Sequence, residues 1–171
     1  MIVNKHIVDA SQVKDGKYVG SVSLSNFNGH LEIEAGLGFV FFNDNISVAG
    51  YIHAKAGSGI KAGWGIKAGE GIKAGEGIEA GEGILANLWI KCKKELSFGY
   101  RLYAGLAHWK ETPDTDDDLV ECGKLCGGTV VLGRVVELGM PEEAAPKQAT
   151  ATIKLADGTV MTGQLVEEVE E

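Results

Sequence analysis

Four near-identical hexads run in tandem through the middle of the chain: Ile60-Lys61-Ala62-Gly63-Trp64-Gly65, Ile66-Lys67-Ala68-Gly69-Glu70-Gly71, Ile72-Lys73-Ala74-Gly75-Glu76-Gly77 and Ile78-Glu79-Ala80-Gly81-Glu82-Gly83. Two glycines in every six residues are incompatible with a stable helix, at about 1 kcal/mol each. In a strand, residues i and i+2 share a face. The Ile and Ala of each hexad therefore point one way, and the Lys or Glu between them points the other. The Gly-x-Gly that follows supplies a corner, where glycines are expected to take positive φ. One strand and one corner cannot bury an Ile alone, but stacked coils can. The repeat predicts a mainly β fold: a short parallel β-solenoid, or β-helix.

The register runs past the perfect copies. The Ile column continues through Ile84, Ile90, Leu96 and Leu102, and the Ala column through Ala86, Cys92, Phe98 and Ala104. Upstream, the same spacing places Phe42, Val48 and Ala54 in the Ile column and starts the Ala column at Ala56. An out-of-phase copy, Ile33-Glu34-Ala35-Gly36-Leu37-Gly38-Phe39, implies a three-residue insertion before the main array. Six residues per side allow twelve or eighteen per coil. Paired Ile and Ala fill a three-sided interior better than a flat one, so eighteen is expected. Lys61 would then lie over Glu79, Trp64 over Glu82, and Lys73 over Lys91. Ten hexads make about three coils, roughly 15 Å tall at ~4.8 Å per coil.

Short stacks need caps, because open sheet edges aggregate. Residues 1–47 are expected to form an N-terminal cap and irregular first coil, and 48–109 the hexapeptide-repeat solenoid. Residues 110–171 are expected to form an acidic C-terminal β-hairpin subdomain. In that last third, 110–121 is a polar break and 128–138 is strand-like. Asp157-Gly158 between two alternating runs signals a hairpin. The segment Ile153 to Leu165 is similar to the first strands of Sm-like barrels, which implies the same bent hairpin.

Charge is uneven along the 171 residues. Net charge is −8; residues 110–171 carry five Lys/Arg against fourteen Asp/Glu, while 55–109 carry eight against five. Phosphate-backbone binding by the acidic third is disfavoured, and a basic protein surface is the complementary partner. The candidate contact residues are Asp114, Asp116, Asp117, Asp118, Glu121, Glu142 and Glu143, together with Trp64 of the repeat. No apolar run reaches the ~18 residues of a membrane span. Three cysteines, with no signal-peptide pattern at Met1 to His6, suit a reducing cytoplasm.

No catalytic or metal set assembles from spacing alone. Asp114, Asp116 and Asp118 resemble the start of a calcium loop, but Leu119 and Leu125 stand where its Gly and Glu belong. Cys122 and Cys126, with Cys92 and His108, lack zinc-knuckle spacing, and Cys92 falls in the inward column. No metal and no cofactor are expected. Of the histidines, His53 is the best placed for a general base, which must come within ~3 Å of its proton.

The hexads resemble those of hexapeptide-repeat acyltransferases, which are trimeric left-handed β-helices. That resemblance implies a histidine base between subunits and binding of an acyl-CoA or acyl carrier. The match fails at Lys61, Lys67 and Lys73, and again at Trp64, Glu70, Glu76 and Glu82. A second resemblance covers about residues 30–110, where the Ile-Lys-Ala-Gly-Glu-Gly run is followed by Tyr100-Arg101-Leu102-Tyr103-Ala104-Gly105-Leu106. This pattern looks like small proteins of bacteriophages and mobile elements. It implies an inhibitor of a host defence complex, of the anti-CRISPR type, that occludes a surface in the host cytosol. The alternatives are a divergent transferase and a structural module that assembles with copies of itself.

Overall fold

The computed structural model describes residues 4–107, 109–112 and 114–141, and the backbone of 150–154 and 160–164. It divides into two compact units, 1–141 and 142–171. The first unit is a three-sided parallel β-solenoid. Face 1 stacks Lys5–Val8, His30–Ile33, Ile52–Ala54, Ile72–Ala74, Ile90–Cys92, Leu119–Cys122 and Arg134–Glu137. Face 2 stacks Gly38–Phe42, Ser58–Ala62, Ile78–Ala80, Glu95–Phe98 and Lys124–Cys126, and is closed at its N-terminal edge by the hairpin Val13–Lys14/Lys17–Tyr18. Face 3 stacks Ile46–Val48, Ile66–Ala68, Ile84–Ala86, Arg101–Ala104 and Thr129–Leu132.

One coil visits faces 1, 2 and 3 in turn. Ile72 faces Ile90, one coil of eighteen residues on, with Lys73 opposite Lys91 and Ala74 opposite Cys92. Ile60 faces Ile78 on face 2, and Ile66 faces Ile84 on face 3. The expected cross-section and the Lys61–Glu79 stacking are what the structure has. Ile52, Ile60, Ile72, Ile90, Leu96 and Leu102 are all fully excluded from solvent. Each buried Ile or Leu stabilises the fold by about 1.5–3 kcal/mol relative to an exposed one.

The array glycines do not act as the hexad pattern suggests. None of those from Gly63 to Gly83 has positive φ; the positive-φ glycines lie at irregular corners such as Gly36, Gly57 and Gly105. What the corner needs is room. A Cβ on Gly69 would lie 2.0 Å from the Ala49 carbonyl oxygen of the preceding coil. One on Gly81 would lie 2.2 Å from that of Gly63. The same corners carry the ladder around the bend, with the Gly81 amide donating to the Ala62 carbonyl at 3.1 Å.

The upstream register is also corrected. Ile52 faces Ile72, and Ile46 faces Ile66, at a spacing of twenty residues. Phe42, Val48 and Ala54 therefore belong to the Ala column, not the Ile column, and Ala56 is exposed at a corner. The extra pair sits at Ala56-Gly57, where Gly57 has φ 73°. The out-of-phase copy at 33–39 is a wide corner: Ile33 ends a strand and Glu34, Ala35 and Gly36 are exposed. Two wide corners stack here, tied by the fully buried Ser58. Its hydroxyl donates to the Glu34 carbonyl (2.5 Å) and accepts from the Leu37 amide (3.0 Å).

The stack is taller than the repeat alone suggests. Seven levels on face 1 make about 29 Å at ~4.8 Å each. Thirty residues separate the facing pair Ile90 and Val120, so an insertion occupies the corner before Leu119–Cys122. Beyond it the sides shorten to five residues, through Val120, Leu125, Val130 and Val135, and Val120 faces Val135 only fifteen residues on. The tighter coil closes against Phe98, whose ring lies where a Cβ on Gly128 would fall. Residues 119–137, expected in the appendage, are thus part of the parallel stack. In the second unit Thr150–Lys154 pairs antiparallel with Val160–Gln164. The Asp157-Gly158 turn between them lies outside the described residues.

Candidate functional site

The three faces bury the same side chains and differ only outside. On face 3 the outward column is Ser47, Lys67, Leu85 and Tyr103. The corner leading into that face carries Trp64, Glu82 and Tyr100, each eighteen residues after the last. The Glu82 amide donates to the Trp64 carbonyl (3.2 Å) and the Tyr100 amide to the Glu82 carbonyl (2.9 Å). Between ridge and column lie Gly65 and Gly83, which have no side chains. The result is a groove of about 500 Å³, floored by the glycines and walled by Trp64, Tyr100, Leu85 and Tyr103. Lys67, Glu82 and Arg101 supply charge along it. Trp64 is 57% exposed and Tyr100 68%. Large rings held out by a rigid β scaffold are suited to anchoring a partner, since aromatic and Arg side chains dominate binding energy at interfaces.

The opposite edge of face 3 bears the insertion, described at residues 107, 109–112 and 114–118. It turns back on the stack, so that Trp109 and Lys110 line a concavity with Glu70, Asn87 and Leu88. Asp114, Asp116, Asp117 and Asp118 are here, each tied to a basic side chain, and Asp117 faces inward. Asp117 is nearly buried and accepts from the Lys110 ammonium (2.7 Å) and the Asp114 amide (2.8 Å). The Lys110 hydrogen bond holds the Asp117 carboxyl below the usual carboxylate range. Asp114 shares Lys110 at 2.6 Å. Asp116 and Asp118 each lie 3.7 Å from the Arg134 guanidinium, and Asp116 also 3.7 Å from Lys91. Asp114, Asp116 and Asp118 still present their outer oxygens to solvent. Glu121 stands on face 1 opposite Lys91. Trp64 is brought to the same face as the insertion, but at its other edge. Glu142 and Glu143 lie outside the described residues.

The nucleophiles and bases are separated. Burial pushes the Cys92 thiol up to about 12 and the Cys122 thiol up to about 11, so neither is a thiolate at neutral pH. His6 hydrogen-bonds Tyr18 at 2.9 Å, and burial lowers its pKa. His30 accepts from the Tyr51 amide (3.1 Å) and stacks on the Tyr51 ring. His53 points out of face 1. Burial and the neighbouring Lys73 lower its pKa. No cluster of three or more His, Cys, Asp or Glu occurs among the described residues. No described helix is long and apolar enough to cross a membrane.

No family model, curated protein or solved structure matches the chain. The eighteen-residue coil expected from the repeat sets Trp64 over Glu82; continued one coil on, it adds Tyr100 to that column and sets Leu85 over Tyr103.

Proposed function

We propose that this chain is a non-catalytic binding protein that docks a protein partner on face 3. The observation that carries this reading is the exposed Trp64–Tyr100 ridge beside a preformed groove. A partner with a basic patch complements the outer carboxylates of Asp114, Asp116 and Asp118 at the far edge. Complementary charge of this kind raises association rate and selectivity, while the rings, covered on docking, supply affinity. On the resemblance to phage-type proteins, the partner is a host defence complex of the CRISPR class, inhibited by surface occlusion in the host cytosol.

The test is a tagged pull-down from host cytosol with the intact chain, Trp64→Ala, and the pair Asp116→Lys/Asp118→Lys, read by mass spectrometry. The expected result is one defence complex recovered with the intact chain, lost with Trp64→Ala and reduced with the charge reversals. Equal recovery with all three proteins rejects face 3 as the docking surface. An empty eluate from folded protein rejects the inhibitor reading.

A further inference from the structure

Face 1 carries a different surface, joined to the docking edge through the Lys91–Asp116 pair. Its outward column runs Glu32, His53, Lys73, Lys91 and Glu121, one residue per coil. Lys73 therefore sits between His53 and Lys91, with neighbouring strands ~4.8 Å apart. Like charges directly opposite on adjacent strands are destabilising, and an alternating column would avoid the cost.

Of the carboxylates at the two ends of the column, Glu32 is occupied and Glu121 stands opposite Lys91. Glu32 holds Lys5 at 3.1 Å and accepts from the Tyr51 hydroxyl at 2.7 Å. Lys91 is shared between Asp116 at 3.7 Å and the Trp89 ring at 5.7 Å. Lys73 and Lys93 have no acidic partner among the described residues. His53, Lys73, Lys91 and Lys93 surround a concavity of about 480 Å³ that Gly75 helps to open and Glu121 and Leu138 close at one end. That volume is within the ~300–1,000 Å³ of small-ligand sites.

We infer that this concavity binds a small phosphorylated ligand, with the phosphate oxygens taken by Lys73 and Lys93 and reached by the His53 ring. Lys is a strongly hydrated point charge that pairs with phosphate without a fixed fork. An anion lodged between the lysines removes the repulsion built into the column. His53 faces Glu32 from one neighbouring strand and Lys73 from the other, with Lys55 two residues on. A bound phosphate therefore raises the His53 pKa against the lowering by burial and by Lys73.

Inorganic pyrophosphate is the probe, titrated into the full chain at constant ionic strength. Melting temperature and the His53 ring resonances are followed together. The expected result is a saturable rise in melting temperature and a shift of the His53 signals. The double variant Lys73→Ala/Lys93→Ala should bind at least about tenfold more weakly, while Lys61→Ala on face 2 binds as the wild type does. The proposal is overturned if sodium chloride at equal ionic strength stabilises as well as pyrophosphate, or if Lys61→Ala loses as much affinity as the double variant. It is equally overturned if a single-stranded oligonucleotide displaces pyrophosphate with higher affinity and a steep salt dependence. The column would then be a strip for a polyanion backbone.

Discussion

Faces 1 and 3 are built from one repeat and bury one set of residues, yet they present opposite surfaces. Face 1 shows a charged column from Glu32 through His53, Lys73 and Lys91 to Glu121. Face 3 shows Leu85 and Tyr103 beside the Trp64–Tyr100 ridge. Inside, Ile72 and Ile84 are equally hidden, and so are Ala74 and Ala86. The inward columns are constrained by the close packing of the core, where a single methylene is felt. The outward positions meet only solvent and their neighbours above and below. A solenoid thus separates the residues that fold it from those free to carry function.

The comparison can be broken most severely from within. Ile72→Asp places an unpaired charge in the shared core and is expected to cost about 3–5 kcal/mol or more, enough to unfold a marginal domain. Loss of cooperative melting by circular dichroism checks it. If the variant melts as the wild type does, the inward column is misassigned. Gly69→Ala tests the corner that joins face 3 to face 1. With 2.0 Å to the Ala49 carbonyl the coils must part, and a loss of about 1–3 kcal/mol is expected in a denaturant titration.

Smaller changes separate the two surfaces. Tyr100→Ala should leave the melting temperature unchanged and weaken partner binding by about 1–2 kcal/mol, read by calorimetry against the recovered complex. Lys73→Glu on face 1 should do the reverse. It replaces the like-charge pair with an alternating one and raises stability by roughly 0.2–1 kcal/mol, with no effect on that complex. Least of all, a double-mutant cycle on the 2.8 Å Lys61–Glu79 pair, exposed on both sides, should give at most about 0.5 kcal/mol. A coupling above 1 kcal/mol would show that the outer ladders help to hold the coils.

Where the repeat is perfect, the fold was legible down to the pairing of individual residues. Lys61 over Glu79 and Lys73 over Lys91 follow from the period and the coil length. Legibility stopped where two readings used similar side chains. Val48 and Ala54 suit either inward column, so the two-residue slip at Ala56-Gly57 showed only in Ile46 and Ile52, which stand two residues ahead of the period counted back from Ile60. The last coil was hidden for another reason. After the insertion, Val120, Leu125, Val130 and Val135 keep a five-residue spacing in which the Ile-x-Ala signal is gone. The acidic run was visible as charge, but its internal ties were not, because Arg134 reaches Asp116 and Asp118 from the following coil. The coil length sets Gly83 beside Gly65, but the groove itself rests on the exposed Trp64 and Tyr100 rings that flank them, which the period does not show.

The three-sided coil also sets how such a chain can change length. Gain or loss of one hexad keeps every inward side chain inward, so the core would tolerate it. Everything downstream, however, would turn by one face. Deleting Ile72 to Gly77 would leave Trp64 where it is and carry Tyr100 and Tyr103 around the prism, dismantling the groove while the protein still folds. Only three hexads at a time, one full circuit, return each surface residue to its own side. Viable relatives of this molecule are therefore expected to differ in the array by whole circuits, even though its smallest repeating unit is a third of one.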